Sequence, residues 1–246
     1  MSQIRKMGSI KQIPNLITSF NLLLGCIAIS MIIQGNLTGG ASLIGLSLIM
    51  DFLDGFSARA LDAYSPLGKQ LDSLADLVSF GVAPAMILHI MILQSFPLIE
   101  LVGTKLFFIG SYLPFILVIS SALRLAKFNI DESQTSSFKG LPTPASAIVV
   151  ISLPFIASGT NELAVSWLMN SYVLVSISIA LALLLNSNFR LFALKFKSYD
   201  WKNNKLQYLL IIGSIILFII FNVNAVPIII LLYLILSLVF KAQITN

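Results

Sequence analysis

The chain has 246 residues, of which 57% are hydrophobic and only 10% are charged, and its mean hydropathy is +0.95. Soluble domains carry about 25% charged residues, so this composition excludes a soluble globular protein and indicates a chain embedded in a lipid bilayer. The single cysteine, Cys26, excludes an internal disulfide framework and a thiolate metal cluster, and we interpret the net charge of +5 as membrane topology and contact with anionic lipid rather than nucleic-acid binding.

The hydrophobic segments predict an all-α, polytopic membrane helix bundle. The N-terminal segment has a basic head, but no small-residue cleavage site follows its apolar part, so we predict a retained first span rather than a signal peptide. Some of the predicted spans are short or closely spaced, which gives a count of six to eight. The candidate spans are residues 15–34, 40–60, 70–94, 104–126, 141–158, 164–186, 206–222 and 225–241.

The lysines and arginines fall almost entirely on one side of these spans. With a cytoplasmic N-terminus, fourteen of the fifteen cationic residues are cytoplasmic and only Lys105 is outside. This asymmetry satisfies the positive-inside rule, and it favours an even number of spans because Lys241 then also lies inside. We therefore predict an integral protein of a prokaryotic cell (inner) membrane, with both termini and the functional site on the cytoplasmic side.

Half of the acidic residues of the chain lie within residues 50–81, MDFLDGFSARALDAYSPLGKQLDSLADLVSFG. Asp51 and Asp54 are three residues apart on the second span, and each therefore projects from the same helix face. Asp72 and Asp76 are four residues apart on the third span and share a face in the same way. Small residues flank these acidic faces and leave room for a bulky ligand to approach the backbone. They are Gly55, Ala58 and Gly68.

Four carboxylates within membrane helices are costly. Each aspartate at the centre of a span costs about 2.5–3.5 kcal/mol on insertion scales, so four cost on the order of 10 kcal/mol before their mutual repulsion. Together they form a set of hard oxygen ligands, suited to Mg²⁺, Mn²⁺ or Ca²⁺ rather than zinc, and two divalent ions would neutralise them. Two alternatives stay open at this point: a salt-bridge network with Arg59 and Lys69, and a cation or proton pathway.

Written as a pattern, the acidic stretch is D-x2-D-G-x2-A-R-x8-G-x3-D-x3-D, from Asp51 to Asp76. All eight fixed positions resemble the signature of the CDP-alcohol phosphatidyltransferases, a family of integral membrane enzymes of phospholipid synthesis. The resemblance implies transfer of a phosphatidyl group from a CDP-linked lipid to an alcohol, with release of CMP. It also implies a six-helix catalytic core, usually a homodimer, preceded by a juxtamembrane helix. The sequence then divides into a juxtamembrane segment at 1–14, a six-span core at 15–186, and a basic loop with two additional spans at 187–246.

Four further stretches narrow the branch of the family. They are similar to the bacterial and archaeal phosphatidylserine synthases, and this similarity implies CDP-diacylglycerol as the donor and L-serine as the acceptor. Glycerol 3-phosphate or inositol as the acceptor, and a divalent-cation transporter as another class of protein, are the alternatives. The stretches are IPNLITSFNLLLG at 13–25, DSLADLVSFGVAPA at 72–85, SALRLAKFN at 121–129 and FKGLPTPASA at 138–147.

The resemblance also implies roles for individual residues. Asp51, Asp54 and Asp72 hold metal ions, and Asp76 is the general base and an additional metal ligand. The expected ions are Mg²⁺ or Mn²⁺, two per site, with Ca²⁺ as an inert occupant. The predicted contacts to the nucleotide and the lipid-linked phosphates are Asn15, Gly55, Ala58, Arg59, Ser65 and Gly68. The predicted acceptor-binding residues are Arg124, Lys127 and Lys139. Helix capping by Asn15 and Ser65, and a purely topological role for the cations, are the alternatives.

Overall fold

The computed structural model describes residues 12–95, 109–130, 137–192 and 204–240. The predicted juxtamembrane segment lies outside these ranges except for its last three residues. Lys105 and most of the basic loop that follows residue 192 also lie outside them. Within the described ranges the chain is helical apart from one short two-stranded ribbon, which confirms the predicted all-α, polytopic bundle.

The first half of the chain forms three long helical segments. Gly35, at φ +84°, turns the first helix back into the second, and the Asn36 side chain caps the second by accepting a 2.9 Å hydrogen bond from the Gly39 amide. The third segment contains a π-helical stretch and is the most buried of the candidate spans, so it lies at the centre of the bundle. The elements are α1 (Ile13–Ile33), α2 (Leu37–Ala60), α3 (Pro66–Asp76), the π-helical segment (Leu77–Val82) and α4 (Ala83–Gln94).

The second half of the chain contains shorter helices and the β ribbon. The predicted span at 164–186 is divided into two helices, and the antiparallel ribbon pairs two segments of three residues each that the sequence analysis did not predict. The elements are a 3₁₀ turn (Leu113–Phe115), α5 (Ile116–Ile130), β1 (Ser137–Lys139), α6 (Thr143–Ala157), α7 (Glu162–Leu168), α8 (Ser171–Leu185), β2 (Arg190–Phe192), α9 (Lys205–Phe221), a second 3₁₀ turn (Asn222–Asn224) and α10 (Ala225–Val239).

The last two helices form a hairpin, which we call the C-terminal hairpin. Residues 205–239 are apolar throughout, and a straight helix of 35 residues would be about 52 Å long, well beyond the hydrocarbon thickness of a bilayer. Asn222, at φ +49°, instead reverses the chain direction. The two helices pack closely at Gly213, where an added Cβ would lie 2.8 Å from a methyl group of Leu232.

Five helical stretches in the described part of the chain are long and apolar enough to span a membrane, the C-terminal hairpin being counted as one of them. The α6 and α8 helices are apolar but have only 15 residues each, or about 22 Å. The protein is therefore an integral membrane protein. Its buried core centres on α4, with large side chains such as Ile87, Leu88 and Met91 fully enclosed by the neighbouring helices.

Candidate functional site

Three of the four membrane aspartates converge at one point. One carboxylate oxygen from each of Asp51, Asp72 and Asp76 lies within 4.8 Å of the others, so α2 and α3 present them to a common centre. The spacing of the aspartates on each helix produces this arrangement, because residues three or four positions apart lie on one face. We call these three residues the aspartate cluster.

The aspartate cluster has the properties of a cation site. Asp72 and Asp76 each keep one buried carboxylate oxygen that accepts no hydrogen bond from the described part of the chain. A buried carboxylate oxygen without a hydrogen-bond donor is costly, and a bound divalent ion would satisfy it. Three oxygen ligands from carboxylates match the preference of Mg²⁺, Mn²⁺ and Ca²⁺, so the residues present fit the metal that the sequence predicts.

Asp54 lies beside the aspartate cluster and is held differently. Its Oδ2 accepts a 2.6 Å hydrogen bond from the Thr18 hydroxyl, which joins α2 to α1. Thr18 also donates to the Pro14 carbonyl within its own helix, at 3.0 Å. Asp54 is close enough to the three clustered carboxylates to repel them electrostatically. Its predicted role as a metal ligand stays a prediction, and Thr18 is a partner that the sequence analysis missed.

A cavity of about 560 Å³ opens beside these acids, between the N-terminal part of α1, the C-terminal part of α2 and the beginning of α3. We call it the acidic cavity, because Asp54 and Asp72 form part of its wall. Five of the six residues predicted to contact the nucleotide and phosphates line it, although their positions in the sequence extend over more than fifty residues. They are Asn15, Gly55, Ala58, Ser65 and Gly68.

The two glycines of the acidic cavity have different surroundings. A Cβ on Gly55 would meet only the Arg59 guanidinium, at 3.6 Å, so this position is open toward the cavity. A Cβ on Gly68 would lie 2.9 Å from Asn15 Oδ1 and 3.0 Å from Ser65 Oγ, so the glycine allows α1 and α3 to approach. Ser65 Oγ accepts a 2.9 Å hydrogen bond from the Gly68 amide and thus caps α3, as the alternative interpretation of Ser65 predicts.

The two nearby cations, Arg59 and Lys69, have other neighbours, although Lys69 also lines the acidic cavity. Arg59 is exposed, lies over Gly55, and is not part of the wall of the acidic cavity. Lys69 Nζ donates a 2.7 Å hydrogen bond to the Asn129 carbonyl, and the Asn129 amide donates to Ser73 Oγ at 2.8 Å. These bonds connect the beginning of α3 to the end of α5. The arrangement does not support a salt-bridge network between Arg59, Lys69 and the acids.

A second cavity, of about 290 Å³, lies at the end of α5, next to the β ribbon and the end of α8. We call it the basic cavity, because all three cations predicted to bind the acceptor line it: Arg124, Lys127 and Lys139. The Asn186 side chain, which the sequence analysis did not identify, accepts a 3.3 Å hydrogen bond from Lys127 Nζ and donates to the Ser120 carbonyl at 2.8 Å.

Arg124 connects the two halves of the site. Only 8% of its surface is exposed, and its Nε donates no hydrogen bond within the described part of the chain. The guanidinium is close enough to Asp76 to attract it electrostatically. A buried guanidinium with an unused donor that lines a cavity is suited to bind an anionic group of a ligand.

The backbone changes its helical type directly after Asp76. The π-helical segment begins at Leu77, and the amide of Ala83 bonds to the carbonyl of Val78, five residues earlier. Pro84 follows and has no amide hydrogen to donate. Single π-helical turns occur frequently at functional sites, where they change the direction of the neighbouring side chains.

A polar layer lies one helical turn below the aspartate cluster. Ser47, four residues before Asp51, and Ser79, three residues after Asp76, donate hydrogen bonds to the Asn21 carbonyl at 3.3 Å and 3.1 Å. The side-chain amide of Asn21 is fully buried and has no hydrogen-bond partner in the described residues. The sequence analysis did not identify Asn21 as a site residue, since its only signal is a polar residue within an apolar span.

Comparison with known proteins agrees with this arrangement. Residues 11–185 match the family model described as CDP-alcohol phosphatidyltransferase. The chain is similar to the CDP-diacylglycerol–serine O-phosphatidyltransferase of Bacillus subtilis (strain 168), at 36% identity over 170 residues, which are 67% of this chain and 86% of the relative. It is also similar to the protein of the same name from Helicobacter pylori (strain ATCC 700392 / 26695), at 33% identity over 215 residues, 84% of this chain and 81% of the relative. A further relative is the archaetidylserine synthase of Methanothermobacter thermautotrophicus, at 30% identity over 181 residues, 72% of each chain.

Proposed function

The chain belongs to the CDP-alcohol phosphatidyltransferase family, and on that premise we propose that it transfers the phosphatidyl group of CDP-diacylglycerol to the hydroxyl of L-serine, forming phosphatidylserine and CMP. The observation that carries this proposal is the position of the aspartate cluster between two cavities. Asp72 contributes to the wall of the acidic cavity. Asp76 directly precedes the π-helical segment, which packs against α5, the helix whose Arg124 lines the basic cavity; a Cβ on Gly81 of that segment would lie 3.2 Å from the Ser121 side chain. A transferase needs this arrangement, with a donor and an acceptor that meet at one reactive centre.

The acidic cavity is the proposed site of the cytidine diphosphate moiety. Its volume is in the range of cavities that hold small molecules and cofactors. Gly55 and Ala58 allow a flat ligand to lie against α2, and the Gly55 position has no side chain from another helix within 4 Å. Arg59 lies over Gly55, outside the wall itself, and its guanidinium is suited to a phosphate at the rim.

The aspartate cluster is the proposed metal site, with Asp51, Asp72 and Asp76 as ligands and Asp54 beside them. A bound divalent ion supplies charge stabilisation for the pyrophosphate as CMP departs. The protein itself supplies the convergence of the carboxylates on two helices. It also supplies the Thr18 hydrogen bond, which orients Asp54.

Asp76 is the proposed general base. A serine hydroxyl is protonated at neutral pH, so its proton must be accepted as the oxygen attacks phosphorus. Asp76 is buried and retains a carboxylate oxygen without a hydrogen-bond partner in the described chain. Of the three clustered aspartates, it is the one directly followed by the π-helical segment, which packs against α5, the helix of Arg124. These properties support Asp76 over Asp54, whose Oδ2 accepts the Thr18 hydrogen bond.

The basic cavity is the proposed acceptor site. Serine presents a carboxylate, and the buried Arg124 guanidinium is suited to bind it, with Lys127 and Lys139 at the exposed side of the cavity. A phosphate acceptor such as glycerol 3-phosphate would also be attracted by these cations, whereas inositol has no charge for them to bind. The relatives named above are all serine enzymes by their names, which supports serine.

We further propose a cytoplasmic orientation for this site and a homodimeric assembly. The Lys69 bond to Asn129 places the beginning of α3 and the end of α5 at the same end of the bundle, together with the cations of the basic cavity. This concentration of positive charge is typical of the cytoplasmic side. The homodimer rests on the family resemblance alone.

The experiment that tests the proposal is CMP release by the detergent-purified protein supplied with CDP-diacylglycerol and Mn²⁺ or Mg²⁺. L-serine, glycerol 3-phosphate and inositol are added one at a time. We expect release with serine and none with the other two acceptors. Release with a different acceptor would keep the chemistry and overturn serine as the acceptor, whereas metal flux into proteoliposomes without CMP release would favour the transporter.

A further inference from the structure

Tyr233 of α10 connects the C-terminal hairpin to the β ribbon. Its side chain is buried, and its hydroxyl donates a 2.9 Å hydrogen bond to the carbonyl oxygen of Phe192, the last residue of β2. The Tyr233 ring also packs edge-on against the Phe192 ring, with centroids 5.0 Å apart and an interplanar angle of 70°. In a largely apolar helix, this hydroxyl fixes one end of β2.

The ribbon carries this contact to the basic cavity. β1 and β2 are antiparallel, with Ser137 opposite Phe192 and Lys139 opposite Arg190. The backbone after Lys139 is fixed as well, since the Gly140 amide donates to the Phe189 carbonyl at 2.9 Å. Gly140 has φ +76° and lies against the Leu185 carbonyl, so a side chain would not fit there. The position of Lys139 at the cavity therefore depends on the position of β2.

The contact between the hairpin and the ribbon is close to the basic cavity, because β1 ends at Lys139, which lines that cavity together with Arg124. The C-terminal hairpin lies outside residues 11–185, the part of the chain that matches the family model. One buried tyrosine thus joins a segment beyond the matched region to the proposed acceptor site.

We propose that Tyr233 is a positioning residue for the acceptor: its hydrogen bond to Phe192 holds the β ribbon so that Lys139 lines the basic cavity beside Arg124. The inference rests on the proposed function, because it concerns recognition of the serine carboxylate. It assigns to the C-terminal hairpin a role in acceptor binding, in addition to its place in the membrane. The donor is not involved, since the acidic cavity is formed by α1, α2 and α3.

The test is Tyr233→Phe in the full-length protein, which removes the hydroxyl and keeps the ring. We expect KM for L-serine to rise about three- to tenfold, the usual effect of one lost hydrogen bond, with KM for CDP-diacylglycerol unchanged. Tyr172→Phe is the matched control, because Tyr172 is exposed on α8 and its hydroxyl has no contact with either cavity. Phe192→Leu, which keeps the accepting carbonyl and removes the ring contact, should raise KM for serine in the same direction.

A double-mutant cycle with Lys139→Ala separates positioning from general destabilisation. If Tyr233 acts through Lys139, the effect of Tyr233→Phe on KM for serine disappears in the Lys139→Ala background. Full additivity, equal increases in both KM values, or an unchanged KM for serine in Tyr233→Phe and Phe192→Leu would each overturn the inference. Failure of the proposed function is a separate result, since the wild-type protein would then release no CMP with serine.

Discussion

Thr18 Oγ1 lies 2.6 Å from Asp54 Oδ2, and this hydrogen bond joins the first helix to the helix that carries half of the acidic site. It gives the buried Asp54 carboxylate a hydrogen-bond donor from a neutral side chain. The distance between the two residues along the chain is 36 positions, so only the packing of α1 on α2 brings them together.

Replacing Thr18 by valine should weaken the function of Asp54. Valine keeps the branched shape, but it leaves the buried carboxylate without its donor. A hydrogen bond to a charged group contributes about 1.5–3 kcal/mol, so we expect the concentration of Mn²⁺ needed for half-maximal CMP release to rise about tenfold or more. Ser42→Ala is the control, because that exposed hydroxyl bonds only within its own helix. An unchanged metal dependence would show that Thr18 does not support the site.

Asp76→Asn should abolish turnover while keeping measurable CDP binding. The amide cannot accept the serine proton, but it retains the size of the side chain and one oxygen ligand. We expect CMP release to fall by at least about a hundredfold, as for loss of a general base. Asp62→Asn is the matched control, since Asp62 is exposed in the turn after α2, and asparagine tolerates its φ of +47° equally well. Full activity of Asp76→Asn would contradict the assignment of the base.

Asp51→Asn should stabilise the metal-free protein and inactivate it. Three carboxylate oxygens within 4.8 Å of one another repel in the absence of a cation, and removal of one charge relieves that repulsion. A gain of about 1 kcal/mol would raise Tm by about 2–4 °C for a chain of this size. The measurement is thermal unfolding in detergent with EDTA, followed by tryptophan fluorescence. A decrease in Tm, or a similar increase for Asp62→Asn, would argue against a repulsive cluster.

Gly55→Leu should block binding of the donor, CDP-diacylglycerol. The position is open toward the acidic cavity, so the new side chain occupies the space proposed for the nucleotide without disturbing another helix. We expect KM for CDP-diacylglycerol to rise at least about tenfold, since a filled cavity leaves the ligand no room. Gly110→Leu is the control, because a Cβ there meets nothing within 4 Å and Gly110 does not line the acidic cavity. Equal KM values for the two variants would place the nucleotide elsewhere.

Arg124→Gln should weaken binding of the acceptor, L-serine. Glutamine keeps a polar side chain and loses the positive charge, so the serine carboxylate loses its buried partner. Loss of a charged hydrogen bond of about 2–3 kcal/mol corresponds to a KM for serine about 30- to 150-fold higher. Lys205→Gln, at the exposed beginning of α9, is the control. An increase in KM for CDP-diacylglycerol instead would move Arg124 to the donor phosphates.

The sequence could predict the helix bundle and most of the acidic cavity. Apolar segments of span length locate the helices, and the spacing of Asp51, Asp72 and Asp76 was sufficient to predict a common carboxylate site. Asp54, the fourth predicted member, lies beside these three and accepts the Thr18 hydrogen bond, a contact that no local pattern could show. The residue roles in catalysis and metal binding stay predictions.

Other features depend on packing between distant segments and have no local signal. The β ribbon has three residues per strand, too few for an alternating pattern, and its pairing joins segments about fifty residues apart. The shared cavity of Arg124 and Lys139 depends on that ribbon. Asn21 could be suspected as a polar residue in a span, but its place below the aspartate cluster, with a side-chain amide that has no partner among the described residues, follows only from the fold.

The π-helical segment at Leu77–Val82 changes the direction in which the side chains of the central helix point. One extra residue in a helical turn rotates everything that follows by about 100° relative to an uninterrupted α-helix. Asp72 and Asp76 precede this offset, and the core residues Ile87 and Met91 follow it. Deleting one residue from the segment would remove this offset. Either Asp72 and Asp76 would then turn away from Asp51, or the apolar face of the helix would turn away from the core. The central helix thus accommodates two incompatible orientations, one set by the convergence of the aspartates and one by the packing of the apolar core, through a single irregular turn.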